Sequence, residues 1–252
     1  MLGMISAAFN ELLYRPLFNA LVFLYDTIAA NDLGVAIVIL TVLIRVVLFP
    51  LFHLSTKSQL VMQALRPEIE AIQKNKKLDK QEQARALMTF YKERNVNPFS
   101  GFFLLFLQLP ILIALYQVFY YGFSGETLSY LYSFVERPME INYDFFGLLN
   151  LNERSTLMVG LAALAQFLQG RLALFKHKEG QEVSAQDKLA RQMVFLGPLL
   201  TLVILYRMPA AVGLYWATTA LFSVGQQYLI KRSLGKNLSN HGKEPGTVGA
   251  VH

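Results

Sequence analysis

Five long apolar runs, separated by polar segments, dominate the pattern of hydrophobic and polar positions along the chain. Each run is close to the roughly 20 helical residues that are needed to cross a bilayer core. The pattern therefore predicts an all-α integral membrane protein with five transmembrane helices. The predicted spans are residues 33–56, 98–121, 155–175, 189–206 and 212–230.

Residues 1–32 show a helical pattern that contains more polar positions than an ordinary span. One face is apolar and carries Tyr14, Phe18, Leu21, Tyr25 and Ile28. The opposite face carries Glu11, Arg15, Asn19 and Asp26. This amphipathic pattern predicts a helix that lies in the membrane interface. An ordinary first spanning helix is the alternative, which the four interrupting polar residues disfavour.

Polar segments connect or follow the predicted spans. Residues 57–97 show helical spacing around the turn-like sequence NKKLDK and predict a charged helical hairpin. Residues 122–154 predict a loop rich in polar and aromatic side chains, and residues 176–188 predict a short loop. The basic tail, residues 231–252, is rich in Gly and Asn, and we expect it to be disordered from Lys231 onward.

Composition supports the membrane assignment. Charged residues make up 16% of the chain and hydrophobic residues 54%, with a mean hydropathy of +0.38. An ordinary soluble domain carries about 25% charged residues. The chain has no cysteine, which excludes disulfides, a thiol nucleophile and thiolate metal ligands.

The distribution of charge predicts the orientation of the spans. Lys and Arg are concentrated in the 57–97 hairpin, the 176–188 loop with its flanks, and the tail, whereas Asp and Glu outnumber them in 1–32 and 122–154. Basic loops remain on the cytoplasmic side of a membrane. We therefore expect the hairpin, the short loop and the C-terminus in the cytoplasm, with the N-terminus outside.

Arg45 is the only charge deep inside a predicted span. Insertion scales place an arginine at such a depth at about +2.5 to +3.5 kcal/mol. An internal ion pair is the usual explanation for a buried arginine, but no predicted span contains an Asp or Glu well inside it. Arg45 must therefore meet water, carbonyl groups, neutral polar side chains, or a carboxylate from another molecule.

Neutral polar side chains recur on several spans at positions suited to a hydrated groove. Each of them alone has an interhelical hydrogen bond as its simpler role, but together with an unpaired arginine they favour a groove. Gln108 and Gln117 lie on opposite faces of the second span, so at most one of them faces such a groove. The candidate groove residues are Arg45, Thr41, Gln108, Gln166, Gln169, Tyr215, Trp216, Thr219 and Gln226.

Motifs of catalysis are missing from the sequence. It contains no phosphate-binding G-x-x-x-x-G-K-[ST] loop, no H-E-x-x-H and no G-x-S-x-G. The four histidines are scattered without metal-ligand spacing. We therefore expect no catalytic residues, no metal and no cofactor, and predict that the protein is not an enzyme.

Four stretches resemble the YidC family of membrane-protein insertases. They are TVLIRVVLFP (41–50), YKERNVNPFSGFFLLFLQLPILIALY (91–116), LAQFLQ (164–169) and VGLYWATTALFSVGQQYLIKR (212–232). The resemblance covers about residues 10–232 in order, and corresponds to the short form without a large periplasmic domain. Where the family's fifth span often carries Asn, this chain has Ala220.

The resemblance implies a bundle of five helices around a groove that is open to cytoplasm and lipid and closed on the outer side. Arg45 matches the groove arginine of the family, and Thr41 and Trp216 match positions that contact clients. The implied function is insertion and folding of newly made membrane proteins in a bacterial cell membrane, without nucleotide hydrolysis. The implied partners are nascent clients, membrane lipids, the Sec translocon, the ribosome and the signal-recognition-particle receptor, with no specific nucleic-acid sequence.

Two other functions remain open from the residues alone. A small-anion transporter or channel would use Arg45 as its binding site, although the chain shows no internal repeat of the kind common in transporters. A chaperone that only assembles already inserted subunits is the second rival.

Overall fold

The computed structural model describes residues 2–241 except 76, 95, 98–99, 124 and 175–184. The predicted helical character is confirmed, and a short antiparallel β-hairpin is added within the 122–154 loop. A π-helical stretch, Asn10–Tyr14, joins α1 to α2, and a 3-10 turn occupies Thr127–Tyr130. The elements are α1 (Leu2–Phe9), α2 (Arg15–Thr27), α3 (Leu33–Val47), α4 (Phe49–Ala64), α5 (Arg66–Gln73), α6 (Lys80–Glu93), α7 (Ser100–Tyr121), β1 (Asp144–Phe145), β2 (Leu149–Asn150), α8 (Thr156–Ala173), α9 (Ala185–Leu205) and α10 (Ala210–His241).

The first predicted span, 33–56, is divided by a bend of 63° between α3 and α4. Pro50 explains the bend, because it has no N–H to donate to the carbonyl of Val46 and its ring clashes with that carbonyl in a straight helix. Within the described residues, only this bent pair has the combined length and apolar composition for a membrane crossing, and no helix has them alone. Shorter apolar helices occupy Phe106–Tyr121 and Arg191–Leu205.

The core lies between α2, α3, α7, α8 and α10, with α10 packed against α3 and α8. The apolar face predicted for α2 is buried at Phe18, Leu21 and Tyr25. Two residues differ from the predicted faces, because Ile28 is 60% exposed and Asn19 only 2% exposed. The chain leaves the helix at Thr27, which directs Ile28 outward, and Asn19 is buried because it bonds to the 122–154 loop.

Polar side chains hold the 122–154 loop against α2 and the start of α3. Asn19 donates to the carbonyl of Tyr130 (3.0 Å) and accepts from the N–H of Tyr132 (2.6 Å). The Tyr25 hydroxyl accepts from the N–H of Asn142 at 2.7 Å. Asp32 caps α3 through the N–H of Val35 and also accepts from Phe146 in the β-hairpin. The loop is therefore ordered by side chains distant from it in sequence.

The contact between Gly34 and Phe145 fixes the β-hairpin on α3. A Cβ atom at position 34 would clash with the Phe145 ring, so only glycine allows this close approach. Leu151, which is fully buried, continues the attachment through its carbonyl, which accepts from the N–H of Ala211 at 3.0 Å. The loop thus contacts the first turns of both α3 and α10.

Helices α5 and α6 pack against each other as the helical hairpin predicted within 57–97. Asp79 and Glu82 form a capping box at the start of α6, and Arg94 pairs with Glu68 at 2.5 Å. The expected disorder from Lys231 is wrong as far as His241, because α10 continues to that residue. Residues 98–99 of the predicted second span, 176–184 of the predicted short loop and 242–252 of the tail lie outside the described residues.

Candidate functional site

Arg45 lies in the last turn of α3, immediately before the bend, and is 6% exposed. Its Nη2 donates to the backbone carbonyl of Thr219 on α10 at 3.3 Å. Its guanidinium carbon lies 4.2 Å from the centroid of the Phe52 ring on α4. Among the residues that the structure describes, no carboxylate pairs with it. A carbonyl oxygen and an aromatic face are thus its observed partners.

Further polar groups surround this position on α7 and α10. The amide nitrogen of Gln108 donates to the hydroxyl of buried Tyr215, which joins α7 to α10. Tyr215 lies one turn of α10 before Thr219, the residue whose carbonyl accepts from Arg45. The Thr219 carbonyl accepts a second hydrogen bond from the Ser223 hydroxyl at 2.9 Å. The arginine cluster is defined here as Arg45, Phe52, Gln108, Tyr215 and Thr219.

Thr41 on α3 and Gln226 on α10 lie on opposite sides of the arginine cluster along the helix axes. Thr41 is buried one turn before Arg45, and its hydroxyl donates to the carbonyl of Ile37 at 2.6 Å within α3. Gln226 is buried two turns after Thr219, and its Nε2 has no hydrogen-bond partner among the described residues. The same holds for Nδ1 of His53 on α4. Buried polar atoms without partners are rare in folded proteins, and they identify this region as one with unused hydrogen-bonding capacity.

Gln166 belongs to a separate set of contacts on the other side of α10. Its Oε1 accepts from the indole Nε1 of Trp216 at 3.0 Å and from the hydroxyl of Thr201. This tryptophan cluster, Gln166, Thr201 and Trp216, joins α8, α9 and α10. Gln169 is half-buried on α8, and no hydrogen bond of its side chain appears within the described parts of the chain. The structure therefore distributes the predicted groove residues between two clusters instead of one.

The tryptophan cluster leads to a prediction for Gln166→Leu. We expect the free energy of unfolding to fall by about 1 kcal/mol, because the half-buried indole N–H of Trp216 loses its acceptor, whereas the Thr201 hydroxyl keeps the carbonyl of Gly197 as an acceptor. Trp216 is the only tryptophan of the chain, so its emission should shift to shorter wavelength when the indole loses its hydrogen bond. Gln169→Leu is the matched control and should change neither quantity. Equal effects of both variants would contradict the assigned role of Gln166.

Phe52, Thr201 and Ser223 contact candidate residues but were not among the residues selected from the sequence. Phe52 follows Arg45 by seven residues, which in a straight helix places it about 10 Å further along the axis. The bend at Leu48 brings its ring over the guanidinium group. A proline five residues after a buried arginine was the only sequence signal for this contact.

An open cleft of about 740 Å³ lies between the end of α2 and the 122–154 loop. Its lining includes Tyr25, Asp26, Glu140 and Tyr143, and none of the arginine cluster. Burial raises the pKa of the Tyr143 hydroxyl above its usual range. The residues that line this cleft include no Lys, Arg or His, and the cleft is separate from the candidate site.

Comparison with known proteins supports the resemblance noted in the sequence. Residues 23–237 match the family model described as 60Kd inner membrane protein. The membrane protein insertase YidC of Fusobacterium nucleatum is 34% identical over 222 residues, which are 87% of this chain and 97% of that protein. The YidC of Clostridium tetani is 34% identical over 209 residues, which are 82% of this chain and 85% of that protein.

A longer relative matches over a smaller share of its own length. The membrane protein insertase YidC of Pelagibacter ubique is 27% identical over 237 residues. These residues are 91% of this chain but 40% of that protein. The arginine cluster lies entirely inside the part of the chain that the family model matches.

Proposed function

Because this chain belongs to the 60Kd inner membrane protein family, we propose that it inserts newly made membrane proteins into the bilayer and assists their folding. The observation that carries the proposal is the buried Arg45, which has no carboxylate partner among the described residues. A guanidinium group keeps its charge at any physiological pH and presents five donors. The missing partner is then an acidic side chain of the client.

The proposed mechanism is charge capture without nucleotide hydrolysis. A client segment that carries Asp or Glu enters from the cytoplasm, and Arg45 attracts the carboxylate. A charge-assisted hydrogen bond of this kind is roughly twice as strong as a neutral one. Holding the carboxylate inside the protein shortens the distance over which it must cross bare hydrocarbon. The membrane potential adds about 2.3 kcal/mol per 100 mV for each acidic charge that moves outward.

Unpaired polar atoms support a polar path between Arg45 and the cytoplasm. Gln226 and His53 lie beyond the arginine toward the proposed cytoplasmic side, and both have a buried polar atom without a partner. An amide donor and an imidazole nitrogen suit the backbone groups of a client peptide. We propose that Thr41, Gln108, Tyr215 and Thr219 surround the path near the arginine. Gln166, Gln169 and Trp216 are proposed to contact the client apart from this path, on the side of α10 that faces α8 and α9.

The client leaves this path sideways into lipid. Large apolar side chains are exposed along α8 and α9, including Leu161, Leu164, Phe195 and Val203. Burial of the client's own apolar helix in lipid drives release at about 25 cal/mol per Å². The 122–154 loop, which contacts the starts of α3 and α10, closes the opposite end.

The proposed topology follows the sequence-based assignment. Five spans at 33–56, 98–121, 155–175, 189–206 and 212–230 place residues 1–32 and 122–154 outside a bacterial cell membrane. The 57–97 hairpin, the 176–188 loop and the 231–252 tail lie in the cytoplasm. This side of the protein carries most of the basic residues, which suits contacts with the ribosome, the Sec translocon and the signal-recognition-particle receptor.

Single cysteines test the proposed topology without background, because the chain has none. Asn150→Cys in the loop and Lys77→Cys in the hairpin replace exposed residues. In intact spheroplasts, an impermeant maleimide should label the former and spare the latter, and permeabilisation should expose both. The reverse pattern would contradict the proposed orientation.

Reconstitution tests the function itself. Purified protein in liposomes should give a radiolabelled single-span client protease protection of its outward segment, without nucleotide. Anion flux across the same liposomes should stay at the level of empty vesicles. Flux without client protection would favour the transporter alternative. Activity only on subunits that are already inserted would favour the assembly chaperone.

A further inference from the structure

We propose that Phe52 is a movable cover on Arg45, which occupies the guanidinium group until the carboxylate of a client displaces it. This inference rests on the proposed function of Arg45 in charge capture. It adds a specificity-determining residue to that function. A client that brings no carboxylate cannot exchange for the ring, so Phe52 makes the site selective for acidic segments.

The contact between the ring and the charge is buried on both sides. Arg45 and Phe52 are each 6% exposed, and the guanidinium carbon lies 4.2 Å from the ring centroid. A cation over an aromatic face is attracted by the ring quadrupole, and the attraction grows when water is excluded. Phe52 therefore stabilises the charge of Arg45 while no carboxylate is present.

Access to Arg45 requires one of its neighbours to move, because so little of its surface is exposed. The Thr219 carbonyl belongs to the backbone of α10 and accepts a second bond from Ser223, which holds it in place. Phe52 contacts Arg45 only through its side chain, at the first turn of α4. Rotation of one side chain is the smaller change, so the ring is the group that yields.

The bend between α3 and α4 places the cover where it is needed. Without the 63° break, Arg45 and Phe52 would lie about two turns, or roughly 10 Å, apart on one straight helix. Pro50 maintains this bend between them. The same chain segment thus supplies both the charge and the group that covers it.

Fluorination of Phe52 tests the cover because it weakens the ring quadrupole while nearly preserving the size of the ring. Mono-, di- and trifluorophenylalanine at position 52 should lower the unfolding temperature of the client-free protein stepwise. The same series in an Arg45→Gln background should be flat. Phe49, which lies on α4 beside His53 with ring centroids 5.6 Å apart, is the matched control position, where fluorination should show no dependence on Arg45.

The client experiment uses the same variants in liposomes. With a single-span client that carries one Asp in its outward segment, trifluorination of Phe52 should raise the initial insertion rate about fivefold, because the competing ring is held more weakly. The matched client with Asn in place of Asp should insert at an unchanged rate. An equal change for both clients, or a flat series with the acidic client, would overturn the proposal.

Failure of the cover differs from failure of charge capture. If Arg45→Gln impairs the acidic client while the fluorination series is flat, charge capture stands and the cover is rejected. If Arg45→Gln inserts the acidic client at the wild-type rate, both proposals are rejected. The client-free unfolding series then still reports whether the ring contacts the charge.

Discussion

Replacement of Arg45 by alanine should reduce insertion of an acidic single-span client about tenfold, while Arg45→Lys keeps much of the activity. The variant loses one charge-assisted hydrogen bond in a buried site, which costs about 1.5 kcal/mol or more, or a factor of about ten in rate. Lysine retains the positive charge but not the planar guanidinium group, so it attracts a carboxylate with less directional bonding. Initial rates of protease protection in proteoliposomes measure the effect.

The matched control is a client whose single Asp is changed to Asn. Its insertion should depend only weakly on position 45, because it offers no carboxylate. Wild-type rates for the acidic client with Arg45→Ala would contradict charge capture. An equal loss for acidic and neutral clients would indicate instead that Arg45 acts by keeping the path hydrated. Unfolding temperatures of the variants show whether each protein is intact.

Replacement of Asn19 by alanine should lower the free energy of unfolding by about 3 kcal/mol. Asn19 donates to the carbonyls of Arg15 and Tyr130 and accepts from the N–H of Tyr132. Its loss leaves the N–H of Tyr132 without the Asn19 acceptor, at about 1–3 kcal/mol. It also removes one of the two side-chain donors to the Tyr130 carbonyl, to which Arg15 still donates. For a chain of this length, the unfolding temperature should fall by about 8 °C.

Asn152→Ala is the control for this prediction, because Asn152 is exposed in the same loop. It should leave the unfolding temperature nearly unchanged. Limited proteolysis adds a local measurement, since detachment of the loop from α2 should make residues around Tyr130 more readily cleaved in Asn19→Ala than in the control. Equal stability of the two variants would show that Asn19 does not anchor the loop.

Both predictions concern polar residues, but the sequence predicts the important property of only one of them. The lack of a carboxylate partner for Arg45 was predictable, because each predicted span can be searched for Asp and Glu without knowledge of the fold. The burial of Asn19 was not predictable, because its loop partners Tyr130 and Tyr132 lie more than a hundred residues later in the sequence. Helical periodicity predicted that Asn19 lies on a polar face of α2. In the folded protein the 122–154 loop packs on that face and buries Asn19.

The division of the predicted groove residues shows the same limit within one helix. Tyr215 and Trp216 are neighbours in sequence, but adjacent residues of an α-helix point about 100° apart. Tyr215 therefore meets Gln108 of α7, while Trp216 meets Gln166 of α8. A list of polar residues identifies candidates, but it does not assign each candidate to a neighbouring helix.

The sequence by itself determined the helical character, the positions of the long apolar runs and the presence of one deep arginine, with no Asp or Glu well inside any predicted span. These are local properties, because helix formation and apolar length depend on residues close together in the chain. Only the tertiary structure decided what contacts that arginine: the carbonyl of Thr219, supplied by α10, and the ring of Phe52, supplied by the bend at Leu48. Contacts between distant segments depend on how helices cross and break, and a 63° change of direction has no counterpart in a pattern of hydrophobic and polar residues.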